Sequence, residues 1–399
     1  MKKYTIILSI LSIFTTSICF ADREDYSGQD IYTKNFTGLS MRRSVWEKCK
    51  GAYTSNGGGA KAATFIATNL TGANFKDSIL SASSYGSRCV DGASVDFSYA
   101  NLTNAVFDGA TLTSCVTEFT SYTAMSTRCN FKGANLTGAS FKNSILHYQF
   151  LSWNRTSVDF SEVNLMRTNF TGTDITGVNF EKSDLRGAIF TTTSGSAIYK
   201  NTIGTDGVIT NFSMTSVDDS LTIRAYIPAT SGGAMINAKI ADDASISGGA
   251  VLTLEQGAVL EIASGKTLSV LDNSEIIFNV DAAASDSTKI LLGENSKLVF
   301  GSDSKIIVNL DGVISPDDSY ALSVIEVAAD ACISVADAIS KDNLVLNVNG
   351  EAYDSDKWGF NFDPTTGALT INVNVPEPAT YAAIFGALAL AFAAYRRRK

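Results

Sequence analysis

Large apolar residues recur at every fifth position through the first half of the chain. A small residue usually stands two positions before each of them, and Asn or Asp often stands directly before, as Ala73 and Asn74 do before Phe75. A period of five fits neither a helix nor an alternating strand, whose side chains repeat every 3.6 and 2 residues. A backbone that turns a corner every five residues satisfies it, because Asn and Asp tolerate turn conformations. The pattern predicts a solenoid with stacked side chains inside, at Phe65, Leu70, Phe75, Leu80, Phe97, Leu102, Phe107, Leu112, Phe131, Leu136, Phe141, Leu146, Phe160, Leu165, Phe170, Ile175, Phe180, Leu185 and Phe190.

Longer gaps interrupt this spacing after every fourth centre, following Leu80, Leu112 and Leu146. An earlier run keeps the spacing from Ile31 to Trp46 and also ends in a gap. Four centres complete one square coil, so we expect the inserts to leave at the same corner and to stack as a ridge.

The inserts share aromatic and arginine residues, which are enriched in contact patches. The ridge is therefore a candidate interaction surface. The competing interpretation is that these side chains fold back and cover the open edge as packing. The candidate residues are Tyr85, Arg88, Tyr122, Arg128, Tyr148, Trp153 and Arg155.

The five-residue pattern resembles the pentapeptide-repeat family, whose motif is roughly Ala-(Asp/Asn)-Leu-x-x. The segment Ala73-Asn74-Phe75 and the segment Ala134-Asn135-Leu136 carry the resemblance. It implies a right-handed quadrilateral β-helix over residues 22–192.

A different pattern begins near Asn201 and defines a second β-rich domain, residues 193–374. Pairs of apolar residues recur about eight positions apart with turn residues between them, which is typical of short strands with one buried face. Eight residues per strand and turn suit a three-sided solenoid with roughly 24 residues per coil, and a β-sandwich is the alternative. The pairs are Leu252/Leu254, Leu260/Ile262, Leu268/Val270, Ile276/Phe278, Ile290/Leu292, Leu298/Phe300 and Ile306/Val308.

Four later segments predict a hairpin-rich cap, which a solenoid needs because its open end would expose unpaired strand edges. One turn of this cap is expected at residues 363–367. The segments are Tyr320–Val327, Leu344–Val348, Gly359–Phe362 and Leu369–Val373.

Both chain ends predict export. Residues 1–21 have two lysines, an apolar core and small residues before a cleavage site ahead of Asp22, which is the pattern of a signal peptide. At the other end, an apolar run from Ala379 to Tyr395 precedes Arg396, Arg397, Arg398 and Lys399. At about 1.5 Å per residue this run makes a helix of roughly 25 Å, which suffices for a transient transmembrane helix. The cations should remain cytoplasmic and leave the body of the protein outside.

Residues 375–399 resemble the PEP-CTERM sorting signal of Gram-negative bacteria. The resemblance rests on Pro376, Glu377 and Pro378, on the apolar run, and on the arginines at 396–398. It implies an exosortase-type processing enzyme as partner, a temporary anchor in the inner membrane, and delivery to the cell surface or extracellular matrix. An ordinary tail anchor is the alternative.

The charge of the chain bears on its partners. The 399 residues contain 31 basic and 40 acidic side chains, a net charge of −9, and removal of both ends makes the remainder more acidic. This acidity disfavours nucleic acid as a partner. Loss of Cys19 with the signal peptide leaves Cys49, Cys89, Cys115, Cys129 and Cys332, whose pairing stays open because an odd count leaves one unpaired.

The sequence predicts no catalytic, cofactor or metal site. His147 is the one histidine and has no surrounding nucleophile motif. Gly57-Gly58-Gly59 lacks the lysine of a phosphate loop. Adjacent acids such as Asp218-Asp219, Asp242-Asp243 and Asp317-Asp318 fit solvated turns better than calcium sites, since neighbours on a strand face opposite ways.

We therefore expect a non-enzymatic structural or adhesive surface protein. Whether it also contacts extracellular polysaccharide stays open. The alternative is a carbohydrate-binding or polysaccharide-degrading β-helix protein. That function would require acidic residues aligned between successive coils.

Overall fold

A computed structural model describes residues 24–373, apart from residues 33, 55–59, 84–91, 116–125, 152–153, 283–287, 313–318, 336–342, 353, 355–357 and 364. The described chain is all-β. Within it, no helix has the length and apolar character that crossing a bilayer requires.

The first half is a four-sided stack of coils, as the five-residue spacing predicts. Successive coils are joined by parallel β-bridges directly before the large apolar residues, for example Asn74 with Val106 and Asn101 with Asn135. The same bridges continue past the last Phe of the pattern, from Asp184 to Ile203.

Two aromatic ladders fill the interior of this solenoid. Because Phe and Leu alternate around the square coil, the aromatic rings fall on two opposite sides and the aliphatic side chains on the other two. Phe107 stacks between Phe75 at 5.0 Å and Phe141 at 4.9 Å, and Phe170 follows Phe141 at 5.5 Å. The prediction that these four residues line a shared axis is confirmed. The first ladder comprises Tyr26, Trp46, Phe75, Phe107, Phe141, Phe170 and Phe190, and the second comprises Phe36, Phe65, Phe97, Phe131, Phe160, Phe180 and Tyr199.

Side chains next to the ladders satisfy the backbone groups of the corners. The side-chain oxygen Oδ1 of Asn69 accepts a hydrogen bond from the backbone amide of Thr71 at 3.2 Å, and Oδ1 of Asn169 accepts one from the backbone amide of Thr171 at 2.9 Å. Buried hydroxyls reach across coils, since Ser144 Oγ donates to the carbonyl of Phe107 at 2.7 Å. The small residues of the repeat are thus either apolar or paired, as buried polar groups require.

Four two-stranded antiparallel hairpins interrupt the coils. All of them begin after a residue on the same aliphatic side and end before a residue of the second aromatic ladder, so the prediction of one shared corner is confirmed. The hairpins are β1 (Ala52–Thr54) with β2 (Ala60–Ala62), β3 (Ser81–Ser83) with β4 (Gly92–Ser94), β5 (Thr113–Cys115) with β6 (Ser126–Arg128), and β7 (His147–Leu151) with β8 (Asn154–Ser157).

Gly51 explains how the first hairpin reaches that corner. The spacing of the early run ends at Trp46, one side too soon, but Gly51 occupies the next position and its amide donates to Ile79 O at 2.9 Å. A Cβ on Gly51 would lie 2.7 Å from Val95 Cγ2 and 3.0 Å from Leu80 Cδ2. Glycine therefore stands where the neighbouring side chains already fill the interior.

The second half is a three-sided parallel solenoid, which decides between the two predicted architectures. The strands of the second half, including those outside the three parallel sheets, are β9 (Thr202–Ile203), β10 (Ile209–Thr210), β11 (Ser220–Ile223), β12 (Ala238–Ile240), β13 (Ala244–Ile246), β14 (Val251–Leu254), β15 (Val259–Ile262), β16 (Thr267–Val270), β17 (Glu275–Asp281), β18 (Lys289–Leu292), β19 (Lys297–Phe300), β20 (Lys305–Asp311), β21 (Ser319–Ser323), β22 (Ile325–Val327), β23 (Cys332–Val335), β24 (Leu344–Val348), β25 (Glu351–Ala352), β26 (Trp358–Asp363) and β27 (Ala368–Val373). The three sheets have the orders β11-β14-β17-β20-β24-β25, β12-β15-β18-β22 and β13-β16-β19-β23. All of the predicted apolar pairs are buried between these sheets.

The predicted cap is confirmed in part. An antiparallel sheet of order β21-β27-β26 covers the end, and residues 363–367 connect β26 to β27 as expected. The segment Leu344–Val348 was wrongly assigned to the cap, because it pairs in parallel with β20 and continues the solenoid. Ile325–Val327 likewise continues a solenoid sheet beside β18.

Candidate functional site

The four hairpins stack on one another along one edge of the first solenoid. Strand β3 contacts β1 and β5, and β6 contacts β4 and β8, so the base of the ridge is continuous. Of the predicted ridge residues, Tyr85, Arg88, Tyr122 and Trp153 lie outside the described residues. Tyr148 and Arg155 lie in the last hairpin. There the backbone of Tyr148 pairs with that of Thr156, and the backbone of Arg155 pairs with that of Gln149.

Arg128 is the ridge residue whose side chain the structure places. It ends β6, is exposed, and lies 3.5 Å from the carboxylate of Asp159. Its Nη1 donates to the carbonyl of Ser157 at 3.4 Å, which ties one hairpin to the next. The same side chain borders a cavity of about 340 Å³ that Lys132 and Glu162 also line. The ridge therefore meets a charged surface at its base.

His147 is held at the base of the last hairpin. Its Nδ1 lies 2.9 Å from Ser157 Oγ, and that hydroxyl donates to the carbonyl of Thr176 at 2.7 Å. A hydroxyl has one hydrogen to donate, so the imidazole must be the donor toward Ser157. A nucleophilic serine needs the opposite direction, with histidine accepting its proton. The pair has the geometry of a structural tie.

Asp174 lies near this pair. Burial acts to raise the pKa of its carboxyl, but hydrogen bonds from Thr176 and the proximity of His147 outweigh burial and hold the pKa below its usual value. The carboxylate is thus engaged with the adjacent turn.

Two cysteines belong to the interior of the first solenoid as free thiols. Cys49 Sγ lies 3.5 Å from Ser78 Oγ, and Cys129 Sγ lies 3.3 Å from the carbonyl of Leu80. Burial raises the pKa of the Cys49 thiol to about 11 and raises that of Cys129 further. Cys332 is free and exposed. The expectation that several cysteines serve as buried apolar residues is confirmed for Cys49 and Cys129, whereas the side chains of Cys89 and Cys115 lie outside the described part.

The second solenoid carries a polar groove of about 680 Å³ on the outer face of its largest sheet. Three asparagines in consecutive strands form a ladder along it, with Asn309 Nδ2 donating to Asn279 Oδ1 and Asn347 Nδ2 to Asn309 Oδ1, both at 2.8 Å. Asn279 Nδ2 donates in turn to Glu255 Oε2 at 3.4 Å. Each ladder amide retains hydrogen-bonding capacity beyond these bonds, because an amide group has two donors and an oxygen with two acceptor sites.

Acidic residues are aligned beside this ladder. Asp281 and Asp311 are register partners in β17 and β20, and Asp311 lines the groove. This is the alignment between coils that a carbohydrate-binding β-helix was expected to need. Sequence analysis did not find this pair, because its members are 30 residues apart and do not follow the eight-residue strand repeat.

The acidic pairs of the sequence serve mainly as turn and ion-pair residues. Asp242 forms an ion pair with Lys266 at 3.4 Å, and Asp243 accepts from the amide of Thr267 at 2.8 Å. Over the described ranges, no three His, Cys, Asp or Glu side chains are grouped closely enough to hold a metal ion. Asp317-Asp318 lie outside those ranges.

The junction of the two solenoids contains a buried ion pair that the sequence did not reveal. Asp184 and Arg186 are almost fully buried, with 2.6 Å between Arg186 Nη2 and Asp184 Oδ2. Arg186 also donates to the carbonyls of Ile236 at 3.0 Å and Arg224 at 2.6 Å. The last square coil is thereby bonded to the first part of the second solenoid.

The predicted signal peptide, residues 1–21, and the predicted sorting signal with Pro376, Glu377, Pro378, Arg396, Arg397 and Arg398 lie outside the described residues. Both therefore stay predictions from the sequence.

Comparison with known proteins identifies the repeats. A family model described as pentapeptide repeats matches eight copies, at residues 93–116, 127–148 and 156–191. No curated protein matches the chain.

Several solved structures are similar to the chain at low identity. A trypsin-treated variant of QnrB1, a plasmid-mediated fluoroquinolone resistance protein, is 17% identical over 51% of this chain and 83% of its own, with a TM-score of 0.21. HetL from Nostoc, a pentapeptide repeat protein involved in heterocyst differentiation regulation, is 12% identical over 78% of this chain and 92% of its own, with a TM-score of 0.17. The pentapeptide repeat protein Rfr23 from Cyanothece is 18% identical over 42% of this chain and 86% of its own, with a TM-score of 0.14. The family match alone identifies residues 93–116, 127–148 and 156–191 of this chain as pentapeptide repeats.

Proposed function

We propose that the protein is an exported, non-catalytic scaffold of the cell surface or extracellular matrix that presents its hairpin ridge to a matrix partner. The observation that carries the proposal is the stacking of four hairpins at one corner of an otherwise regular solenoid. A solenoid interior of stacked apolar rings supports a long surface without needing reactive groups, and repeated inserts on one face often form the binding face of repeat proteins.

Export and sorting rest on the two chain ends. The signal peptide, the Pro-Glu-Pro segment and the terminal arginines support passage to the inner membrane, processing by an exosortase-type enzyme and release to the outside. To test this, the triple variant Pro376→Ala/Glu377→Ala/Pro378→Ala is compared with the unaltered protein by cell fractionation and by mass measurement of the C-terminus. The variant should keep its C-terminal segment and stay in the inner membrane. A matched control, Pro228→Ala, should behave like the unaltered protein. Identical processing and location of the triple variant would refute the sorting role.

The binding role of the ridge is tested separately. The double variant Tyr122→Ala/Trp153→Ala should lose cosedimentation with the insoluble extracellular matrix of the producing cells while its thermal unfolding stays unchanged. The control variant Ile145→Ala/Ile189→Ala removes two exposed apolar side chains from the repeat coils away from the hairpin tips. If the ridge variant unfolds instead, its aromatic residues are packing residues. If it folds and still binds, the ridge is not the contact surface.

A second candidate function is binding or cleavage of extracellular polysaccharide in the polar groove of the second solenoid. The alignment of Asp281 with Asp311 beside the asparagine ladder favours it. The variant Asp281→Asn/Asp311→Asn should then abolish binding of the polysaccharide or the release of new reducing ends, whereas the ridge variant should not. This candidate would be excluded if the Asp281→Asn/Asp311→Asn variant binds the polysaccharide as well as the unaltered protein does, and if the unaltered protein releases no new reducing ends.

A further inference from the structure

A small cavity lies where the two solenoids meet, between coils of the first solenoid and strand β11 of the second. Its volume is about 200 Å³. Three cationic side chains and one carboxylate line it, although the whole chain carries a net charge of −9. The lining residues are Tyr99, Lys132, Gly133, Glu162, Lys182, Ser220, Thr222 and Arg224.

Arg224 is the least satisfied of these side chains. Burial lowers the pKa of its guanidinium, against the opposing effect of Asp184 and Glu255. Its Nη1 is buried and has no hydrogen-bond partner among the described residues. A buried donor without an acceptor is unfavourable, and in native proteins it often marks the place of a bound group.

The two lysines of the cavity are also available to a ligand. Across the described part of the chain, Lys132 and Arg224 make no ion pair within 4.0 Å. Lys182 Nζ donates to a backbone carbonyl, that of Asp218, at 3.2 Å. Glu162 is the one opposing charge in the lining, so the cavity retains an excess of positive charge that favours an oxyanion.

The uncharged part of the lining favours a sugar. Tyr99 is 62% exposed, and its ring lies so close over Gly133 that a Cβ there would be 2.7 Å from two ring carbons. Glycine at 133 thus gives the ring space to pack against the coil, and the exposed remainder of the ring is accessible to a ligand. Ser220 and Thr222 point outward from β11, because Leu221 and Ile223 between and after them are buried. An aromatic face, hydroxyl groups and cations together match a ring that carries hydroxyls and one acidic group.

We propose that this junction cavity binds an acidic sugar residue, a uronic acid or a sulfated sugar, with Lys132, Lys182 and Arg224 toward its oxyanion and Tyr99 against its ring. The inference goes beyond the proposed function, because it concerns neither the hairpin tips nor the groove along the asparagine ladder, although Lys132 and Glu162 also border the cavity at the base of the ridge. It makes the contact between the two solenoids a binding site as well as a structural joint.

The test measures binding to the full chain by titration calorimetry with three probes: a trimer of galacturonic acid, a trimer of galactose and inorganic sulfate. The site variant is Lys132→Gln/Lys182→Gln. The matched control is Lys76→Gln/Lys142→Gln, which removes the same charge from two exposed lysines next to the first aromatic ladder. Both variants retain Arg224, whose carbonyl accepts a hydrogen bond from Arg186 at the junction.

The acidic trimer should bind the unaltered protein and the control variant within twofold of each other, and the site variant at least tenfold more weakly. The neutral trimer should not bind, and Tyr99→Ala should weaken the acidic trimer severalfold without affecting sulfate. An equal loss in site and control variants would mean only long-range charge attraction and would overturn the proposal. The proposal would also be overturned if sulfate binds as tightly as the acidic trimer and Tyr99→Ala does not weaken binding of the trimer. The cavity would then bind simple anions. Absence of binding by the acidic trimer would overturn it directly.

Discussion

The carboxylate of Asp184 and the guanidinium of Arg186 meet at two points, with Nε to Oδ1 at 3.0 Å and Nη2 to Oδ2 at 2.6 Å. The pair is buried, and Tyr226 covers the guanidinium with its ring centre 5.6 Å from Cζ. The carbonyls of Ile236 and Arg224 accept two more of its hydrogens. One side chain from the last square coil thus closes the contact with the second solenoid.

Breaking this pair on one side should be costly. Arg186→Leu leaves the Asp184 carboxylate buried without a counter-charge, and such changes cost about 3–5 kcal/mol. The double variant Asp184→Leu/Arg186→Leu should lose less, because no charge remains uncompensated. Urea denaturation of the full chain measures both. A double variant that is as unstable as Arg186→Leu would show that the hydrogen bonds to the carbonyls, and not the ion pair, hold the junction.

The aromatic ladders should dominate the stability of the first solenoid. Phe107→Ala removes a ring that stacks on both Phe75 and Phe141, and burial-to-cavity changes of this kind cost about 3–5 kcal/mol. Ile145→Ala removes an apolar side chain that is 42% exposed and should cost less than about 1 kcal/mol. Chemical denaturation followed by circular dichroism distinguishes the two. Equal losses would mean that the interior is not the main source of stability.

The first solenoid could be predicted from sequence because its determinants are local and repeat at a fixed distance. Each five-residue repeat contains one large apolar residue, the small residue two positions before it and one turn of the backbone. The spacing from Phe65 to Leu80 therefore already defines a coil. Gly51 escaped the pattern, because glycine occupies a corner without showing an apolar side chain. The spacing therefore misplaced the end of the first coil by one side.

The remaining features depend on distant partners. Strand β24 was assigned to the cap because 38 residues separate Ile306 from its partner Leu344, far from the regular strand repeat. The asparagine ladder is hidden for the same reason. Arg186 bonds to the backbone carbonyls of Ile236 and Arg224, which are 50 and 38 positions away in the sequence. Every residue has a backbone carbonyl, so no sequence pattern shows which ones accept these bonds.

Glycine at the junction should be required for space as well as for conformation. Gly207 has φ +90°, and a Cβ there would lie 2.0 Å from the backbone carbonyl oxygen of Asn237. Gly265 has φ +72° with nothing within 4 Å of the added atom. Gly265→Ala should therefore cost only the conformational term, about 1–2 kcal/mol. Gly207→Ala should cost clearly more, roughly 3 kcal/mol or above, because backbone must move. Thermal unfolding of the two variants compares them, and equal melting temperatures would contradict the close approach.

Low pH should weaken the junction through Asp219. Burial acts to raise the pKa of its carboxyl, but the amide of Thr215, Lys200 and the Ser216 hydroxyl outweigh burial and hold the pKa below its usual value. A carboxyl whose pKa is lower in the folded protein contributes stability above its unfolded pKa of about 3.9 and loses it as pH falls through the folded value. Asp219→Asn should thus be less stable than the unaltered protein at pH 7 and should lose less on acidification below about pH 4. Asp242→Asn, whose side chain is 91% exposed, is the control and should follow the unaltered protein. Parallel pH profiles for all three proteins would contradict the assignment.

The free thiols should differ in reactivity according to burial. The thiolate is the reactive form, and burial raises the pKa of Cys49 to about 11 while closing off solvent from Cys49 and Cys129. Cys332 is exposed at the start of β23 and should be alkylated by iodoacetamide at pH 8 within minutes. Peptide mass mapping of the native protein should find Cys332 modified and Cys49 and Cys129 intact, and all three modified after denaturation in urea. The Cys332→Ser variant should leave the protection of the two buried thiols unchanged. Rapid modification of Cys129 in the native protein would place that thiol outside the solenoid interior and contradict the packing of the second aromatic ladder around it.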